Sequence, residues 1–446
     1  MTMLENKIFG MIALGCDKNR VDAERMLGIL RAKGYAVTSD PAEANVLIVN
    51  TCAFLASARK EAIDTVLDSD AYRAGKLEKI VVAGCLPEKY ADELFPSLTE
   101  ADVLLGCNDA EALLSALERS YAEGRVNAVH TGREGEEGRV LTTPLHYAYL
   151  KIADGCNNHC TYCLIPKIRG RYRSYPEEQL IAEAEGLGEL AELVLVAQDT
   201  TRYGEDLYGE NRFVQLIRSL SALENIQKIR LLYCYPDIIG DELIDEIAGN
   251  DKLLKYIDIP LQHSEDRILK LMNRKGSRKS YLALLAKLRE RVPDIAIRST
   301  FIAGFPTETE EESAALADFL KEAKLTNAGF FAYSREPETP AYRIKGQVPA
   351  RIKQRRVKNL YKVQEQISAA FLQSLVGQKI NVLCDGIDYE RSCFVGRAWF
   401  SAPEIDGKVF FRSPHAEQGE VYSVKLTGSD SYDLFGHTED YDESAQ

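Results

Sequence analysis

Three cysteines of the segment GCNNHCTYCLIPKIRG, Cys156, Cys160 and Cys163, stand at the spacing CxxxCxxC directly after the strand-like run AYLKIAD. Thiolates gathered this tightly are ligands for a soft metal centre. A structural zinc site draws on four protein ligands and thioredoxin-type exchange on two cysteines, so three thiols in one short loop match neither. His159 offers a fourth donor, but its place beside Cys160 reads as a residue that shapes the loop. The incomplete set suits a [4Fe–4S] cluster whose fourth iron keeps a position for an exogenous ligand.

A second group of thiols is spread through the first third of the chain. The runs FGMIALGC, NVLIVNTC, KIVVAGC and ADVLLGC end at Cys16, Cys52, Cys85 and Cys107, and each reads as a buried parallel strand. Helical patterns lie between them, VDAERMLGILRAKG and AFLASARKEAIDTVLDSD, which gives a doubly wound α/β sheet. Ligands of such sheets sit beyond the carboxyl ends of the strands, so Cys16, Cys52 and Cys85 are expected to converge. One cysteine at a strand end is an ordinary small hydrophobe. Repetition at equivalent ends points instead to ligation of an iron–sulfur cluster, zinc or cuprous copper. Cys107 decides whether four thiolates close this site or three leave it open.

The elements that must position these thiols fit a multidomain α/β chain. Its 446 residues suggest about three domains, and a hydrophobic share of 45% can fill their cores. Ten cysteines are too few for a disulfide framework, and no apolar stretch follows MTMLENK to act as a signal peptide, so reduced thiols in the cytoplasm are expected. The longest apolar runs fall well short of the roughly 20 residues that span a bilayer. The glycine- and charge-rich stretch TGREGEEGRVLTTP, residues 131–144, reads as a linker or exposed hairpin. After the cysteine loop come LVLVAQD, KIRLLYCYP, YIDIPLQ, IAIRSTFIAGFP and NAGFFAYSR, separated by helical patterns. With the first strand these make six βα units, a partial TIM-like barrel with its site at the carboxyl-end face. A helix is expected from residue 351, and beyond Gln373 five short strands in KINVLCD, RSCFVGRAW, KVFFRS, VYSVKLTG and SYDLFGHT suggest a small antiparallel β-barrel. The expected domains are 1–140, 141–372 and 373–446.

The CxxxCxxC loop after the first strand of an incomplete barrel, with the aromatic Tyr162 before its last cysteine, resembles the radical S-adenosylmethionine enzymes. That resemblance implies that the open iron chelates S-adenosylmethionine and that one electron cleaves it to a 5′-deoxyadenosyl radical. It makes Cys156, Cys160 and Cys163 catalytic ligands and Tyr162 a candidate contact to the nucleotide; by position alone, Gln198 and Asp199 at the end of the second strand, Arg298 on the fifth and Gly304 at the opening of the turn GFPTETEE are further candidate contacts. The competing reading is that strand ends are polar in any case. The final small barrel looks like a TRAM domain, and the order of the three units resembles the methylthiotransferases. Membership implies a second [4Fe–4S] cluster on Cys16, Cys52 and Cys85 for sulfur delivery, with one S-adenosylmethionine supplying the methyl group and another the radical. Cys107 is outside that pattern and is expected to be a core thiol, as are Cys234, Cys384 and Cys393.

Charge bears on the substrate. Lys plus Arg is 55 against 68 for Asp plus Glu, a formal net charge of −13, which disfavours whole-surface attraction to phosphates. Residues 343–362 hold eight Lys or Arg and no acid, which reads either as a solvated connecting helix or as a basic edge facing a ribosome or RNA. Residues 375–446 hold six Lys or Arg against thirteen Asp or Glu, a net of −7. Such a barrel is a poor phosphate binder and a fitting receptor for a basic protein. The stretches ALGCDKNRVDAERMLG, NTCAFLASARKEAIDT, YIDIPLQHSEDRILKLMNR and APEIDGKVF resemble the methylthiotransferase branch that modifies an aspartate β-carbon on the twelfth protein of the small ribosomal subunit. The alternative branch, acting on transfer RNA adenosine, carries Gln after the first cysteine where this chain has Asp17. The resemblance further implies the small-subunit protein or assembled subunit as partner, an electron donor such as flavodoxin, no membrane, and a monomer.

Overall fold

A computed structural model describes residues 3–107, 109–132 and 138–441. The first sheet has six strands, β1 (Ile8–Ala13), β2 (Ala36–Thr38), β3 (Val46–Thr51), β4 (Lys79–Gly84), β5 (Val103–Leu105) and β6 (Val126–Asn127), in the order β2-β1-β3-β4-β5-β6. All five pairings are parallel. Strands β3, β4 and β5 are apolar and almost wholly buried because helices cover both faces, as a doubly wound sheet requires. The short edge strands β2 and β6 carry too little apolar pattern to be read from sequence. Register aligns the ends: Ala13 pairs with Asn50, Thr51 with Gly84 and Ala83 with Leu105.

The second sheet begins with β7 (Tyr147–Lys151), followed by the small ribbon β8 (Ala153–Asp154) and β9 (Arg173–Ser174) that brackets the cysteine loop. It continues through β10 (Glu192–Val196), β11 (Ile229–Leu231), β12 (Leu253–Asp258), β13 (Ala296–Ala303) and β14 (Asn327–Ala332). The order β14-β13-β12-β11-β10-β7 is parallel throughout, and β7 and β14 are its two edges, so the barrel is partial. Helix Ala350–Leu375 then leads to β15 (Lys379–Asp388), β16 (Cys393–Arg397), β17 (Val409–Arg412), β18 (Val421–Ser429) and β19 (Leu434–Thr438), a closed barrel. Four of its pairings are antiparallel, but β17 and β19 run parallel, so the barrel is not antiparallel throughout. It is tied to the central sheet by a shared core that includes Tyr149, Val194, Val196, Tyr256, Phe400 and Phe411.

The expected linker needs correction as well. Within 131–144, residues 133–137 lie outside the described set, and the remainder does not run free. Arg139 is buried against Glu24 and Glu183, and Thr142 donates from both its amide and its hydroxyl to Glu24. No helix among the described residues is long and apolar enough to cross a membrane.

Candidate metal centres and the cavity between them

The strand ends of the first sheet bring Cys16, Cys52 and Cys85 to one place. Asn19, in the first turn of helix Asp17–Ala32, donates from Nδ2 to the carbonyls of Thr51 (2.8 Å) and Leu14 (3.3 Å), which fastens the Cys16 loop to the Cys52 loop. Asn50 returns a bond from its Nδ2 to the Asn19 carbonyl at 2.6 Å. Gly15 comes so near that a Cβ on it would lie 2.9 Å from Cys52 Cβ. Cys85 Sγ lies 3.5 Å from Asn19 Oδ1, completing the convergence. Gly84 makes the turn into Cys85 with φ +93°, and a Cβ there would meet Asn50 Oδ1 at 2.4 Å and the Thr51 carbonyl at 2.7 Å.

Cys107 is buried, as expected of a core thiol, but it does not stand apart: its Sγ lies 3.7 Å from Cys85 Sγ. That contact, opposed by burial and helped by the Arg169 guanidinium, brings the Cys85 thiol down to about 6. Burial pushes Cys52 up to about 11.

The second set occupies one loop. Asn158 donates its amide to Cys156 Sγ and Ile165 its amide to Cys163 Sγ, both at 3.4 Å. Tyr235 Oη is 2.9 Å from Cys160 Sγ, and the Arg274 guanidinium lies 3.9 Å from the same sulfur and over the Tyr235 ring. Backbone amides and a cation directed at sulfur are what an anionic cluster of thiolates and sulfides needs, so the donor set fits a [4Fe–4S] group. His159 is exposed, has φ +49° and accepts through its carbonyl from Asn273, so it shapes the loop rather than facing the thiols. Burial raises Cys156 to about 11.

The other predicted residues divide. Gln198 donates from Nε2 to Asp154 at 3.0 Å, while its Oε1 is buried with no partner among the described residues, leaving an acceptor for a bound molecule. Asp199 accepts from Asn158 Nδ2 (2.8 Å) and the Thr201 hydroxyl (2.6 Å), so it braces the cysteine loop. Arg298 pairs with Asp258 at 3.3 Å and with Asp406 of the last barrel at 3.2 Å, and these two carboxylates occupy its guanidinium. Gly304 has φ +73°, and a Cβ would lie 2.4 Å from Lys353 Cγ, so the turn and the nearby helix require glycine there. Tyr162 lines a cavity of about 230 Å³ with Gln262, Thr300, Ile302, Phe331 and Tyr333 of the barrel and Phe54 and Leu55, which follow Cys52. The cavity therefore touches both cysteine-bearing units.

A buried polar cluster joins those units, and sequence reasoning missed it. Lys151 reaches Asp22 and Asp154, and Arg169 reaches Asn19, Asp22, Asp154 and Cys85. Burial opposes ionisation of Asp154, but Arg169 and Lys151 hold its carboxyl well below the usual range. No signal in the sequence marks it: Lys18, Asn19, Asp22, Glu24 and Arg25 of the first helix are all buried although their polarity suggests a solvated face.

Comparison with known proteins agrees with this geometry. Residues 150–320 match the Radical SAM superfamily, residues 9–106 the family described as "Uncharacterized protein family UPF0004", and residues 376–438 the TRAM domain. Among solved structures, the radical S-adenosylmethionine methyltransferase TsrM from Kitasatospora setae aligns with a TM-score of 0.57 at 15% identity, covering 75% of this chain and 77% of that one. The match over residues 150–320 makes the central unit a Radical SAM domain, and the solved structure shares its fold. The "Ribosomal protein uS12 methylthiotransferase RimO" of Clostridium botulinum (strain Eklund 17B / Type B) is 45% identical over 440 residues, 97% of this chain and 98% of that protein. The same-named protein of Lachnoclostridium phytofermentans is 42% identical over 97% of this chain and its own full length. The chain belongs to the uS12 methylthiotransferase RimO family.

Proposed function

We infer that this protein transfers a methylthio group to the β-carbon of an aspartate in ribosomal protein uS12. Full-length similarity to that family carries the reading, and the cavity lined by Tyr162, beside Cys163, and by Phe54 and Leu55, which follow Cys52, supports it. The units at 1–140, 141–372 and 373–446 divide the work. Cys156, Cys160 and Cys163 hold one [4Fe–4S] cluster, and Cys16, Cys52 and Cys85 hold the second. With S-adenosylmethionine these groups supply a radical initiator, a methyl group and sulfur.

The chain's own residues hold and shield. Asn158, braced by Asp199, directs the cysteine loop, and Tyr235 and Arg274 face Cys160. Gln198 Oε1 is the acceptor for a cationic or N–H group of the nucleotide. Tyr162, Ile302 and Phe331 give the cavity apolar walls that keep water from reactive carbon. An acidic last barrel receives the basic substrate protein. An external one-electron donor such as flavodoxin serves the cytoplasmic enzyme, which acts as a monomer.

The transfer RNA reading leaned on residues 343–362. There Arg356 is buried on Glu308 and Lys353 donates to the Tyr333 carbonyl, so two of the eight cations serve the fold, while Arg355 makes an exposed pair with Glu310. Reconstituted enzyme offered uS12 and transfer RNA side by side should methylthiolate only uS12. Methylthio-adenosine without modified uS12 would overturn the assignment.

A further inference from the structure

Arg169 lies between the two thiol sets. Its side chain is 1% exposed and its guanidinium has four partners from three segments: Asn19 Oδ1, Asp22 Oδ2 (2.8 Å), Asp154 Oδ2 (2.9 Å) and Cys85 Sγ (3.5 Å). The carbonyl of the next residue, Gly170, accepts from the Cys156 amide at 3.2 Å. One dipeptide thus touches a thiol of the first set and the backbone of the second.

Asp22 and Asp154 already balance the charges of Arg169 and Lys151. Ion pairing alone leaves the contact with Cys85 unexplained. Hydrogen bonds and nearby charge at a cluster's sulfur ligands set its reduction potential. A buried cation acts there with little screening.

We propose that Arg169 is a positioning residue that raises the reduction potential of the cluster on Cys16, Cys52 and Cys85 by donating to Cys85 Sγ, so that the barrel sets the electronic state of the neighbouring unit's cluster. This rests on those three cysteines being its ligands. Cys107 offers a weaker S–H donor to the same sulfur and provides an internal comparison.

The test is a redox titration followed by electron paramagnetic resonance on the full chain carrying Cys156→Ala, Cys160→Ala and Cys163→Ala, which leaves only the first site. To this parent are added Arg169→Lys, Arg169→Gln or Cys107→Ala. Lysine keeps the charge that Asp22 and Asp154 require but lacks the fork that reaches Cys85 as well. The expected result is about four irons in parent and variants, a midpoint displaced to more negative potential by Arg169→Lys, further by Arg169→Gln, and least by Cys107→Ala. An unchanged midpoint in a loaded Arg169→Lys protein overturns the proposal, as does a shift from Cys107→Ala that equals or exceeds it. Loss of iron from Arg169→Lys alone would make Arg169 an assembly residue and equally overturn its electronic role. A parent that takes up no iron would fail earlier, at the ligand assignment itself.

Discussion

The two thiol sets solve one problem by opposite means. Cys156, Cys160 and Cys163 fall within one eight-residue loop, where local backbone amides aim at the sulfurs. Cys16, Cys52 and Cys85 come from three separate strand ends, and only the register of β1, β3 and β4 and the side chains of Asn19 and Asn50 bring them together. The first arrangement depends on a loop and the second on a whole sheet. A site of the second kind should therefore be sensitive to substitutions at residues that are not ligands.

The largest effect should come from replacing Cys156, Cys160 and Cys163 together by Ala. Reconstituted iron should fall from about eight to about four per chain, and 5′-deoxyadenosine formation should drop to background; an unchanged iron count would break the assignment. Next is Gly84→Ala, which forces a Cβ into the Asn50 side chain and the Thr51 carbonyl in a left-handed turn. The expected cost is on the order of 3 kcal/mol, read as a lowered thermal midpoint, with iron lost from the first site and retained in the second. Asn19→Ala removes a donor from the Thr51 carbonyl and one of the four partners of Arg169, costing about 1–3 kcal/mol and again depleting only the first site. Asn158→Ala, in the half-exposed loop, should cost about 1 kcal/mol or less, and a larger loss there than at Asn19 would reverse the comparison.

The smallest effect concerns protons. Ligation requires thiolates. Near neutral pH, Cys52 and Cys156, raised to about 11, are protonated and each releases a proton on loading, whereas Cys85, lowered to about 6, is already ionised and releases none. Cys107→Ala removes the donor that lowers Cys85, so proton release on loading, followed in weak buffer, should rise. Acidification through the Cys85 value should slow loading of the first site.

The contrast also explains what was legible in the sequence. The compact loop was plain from its spacing, and the three strand ends were readable because buried parallel strands are continuous apolar runs ending in a small residue and a cysteine. Edge strands β2 and β6, three and two residues long, carry no such pattern. The positions of Arg169, Asp22, Lys151 and Asp154 could not be read because each looks like an ordinary charged residue, and only the packing of the first helix against the cysteine loop makes them one cluster. Arg298 and Gly304 stand among the expected nucleotide contacts, yet ion pairs occupy the first and a tight turn the second. Cys107 was separated from the first set by its place outside the family pattern, although its strand ends beside that of Cys85.

The division of labour between the two sites is tested most directly by the full chain carrying Cys16→Ala, Cys52→Ala and Cys85→Ala, reconstituted and given S-adenosylmethionine, reductant and uS12. The predicted result is about four irons, continued formation of 5′-deoxyadenosine, and no methylthio mass increment on uS12. Methylthiolated uS12 from that variant would contradict the account.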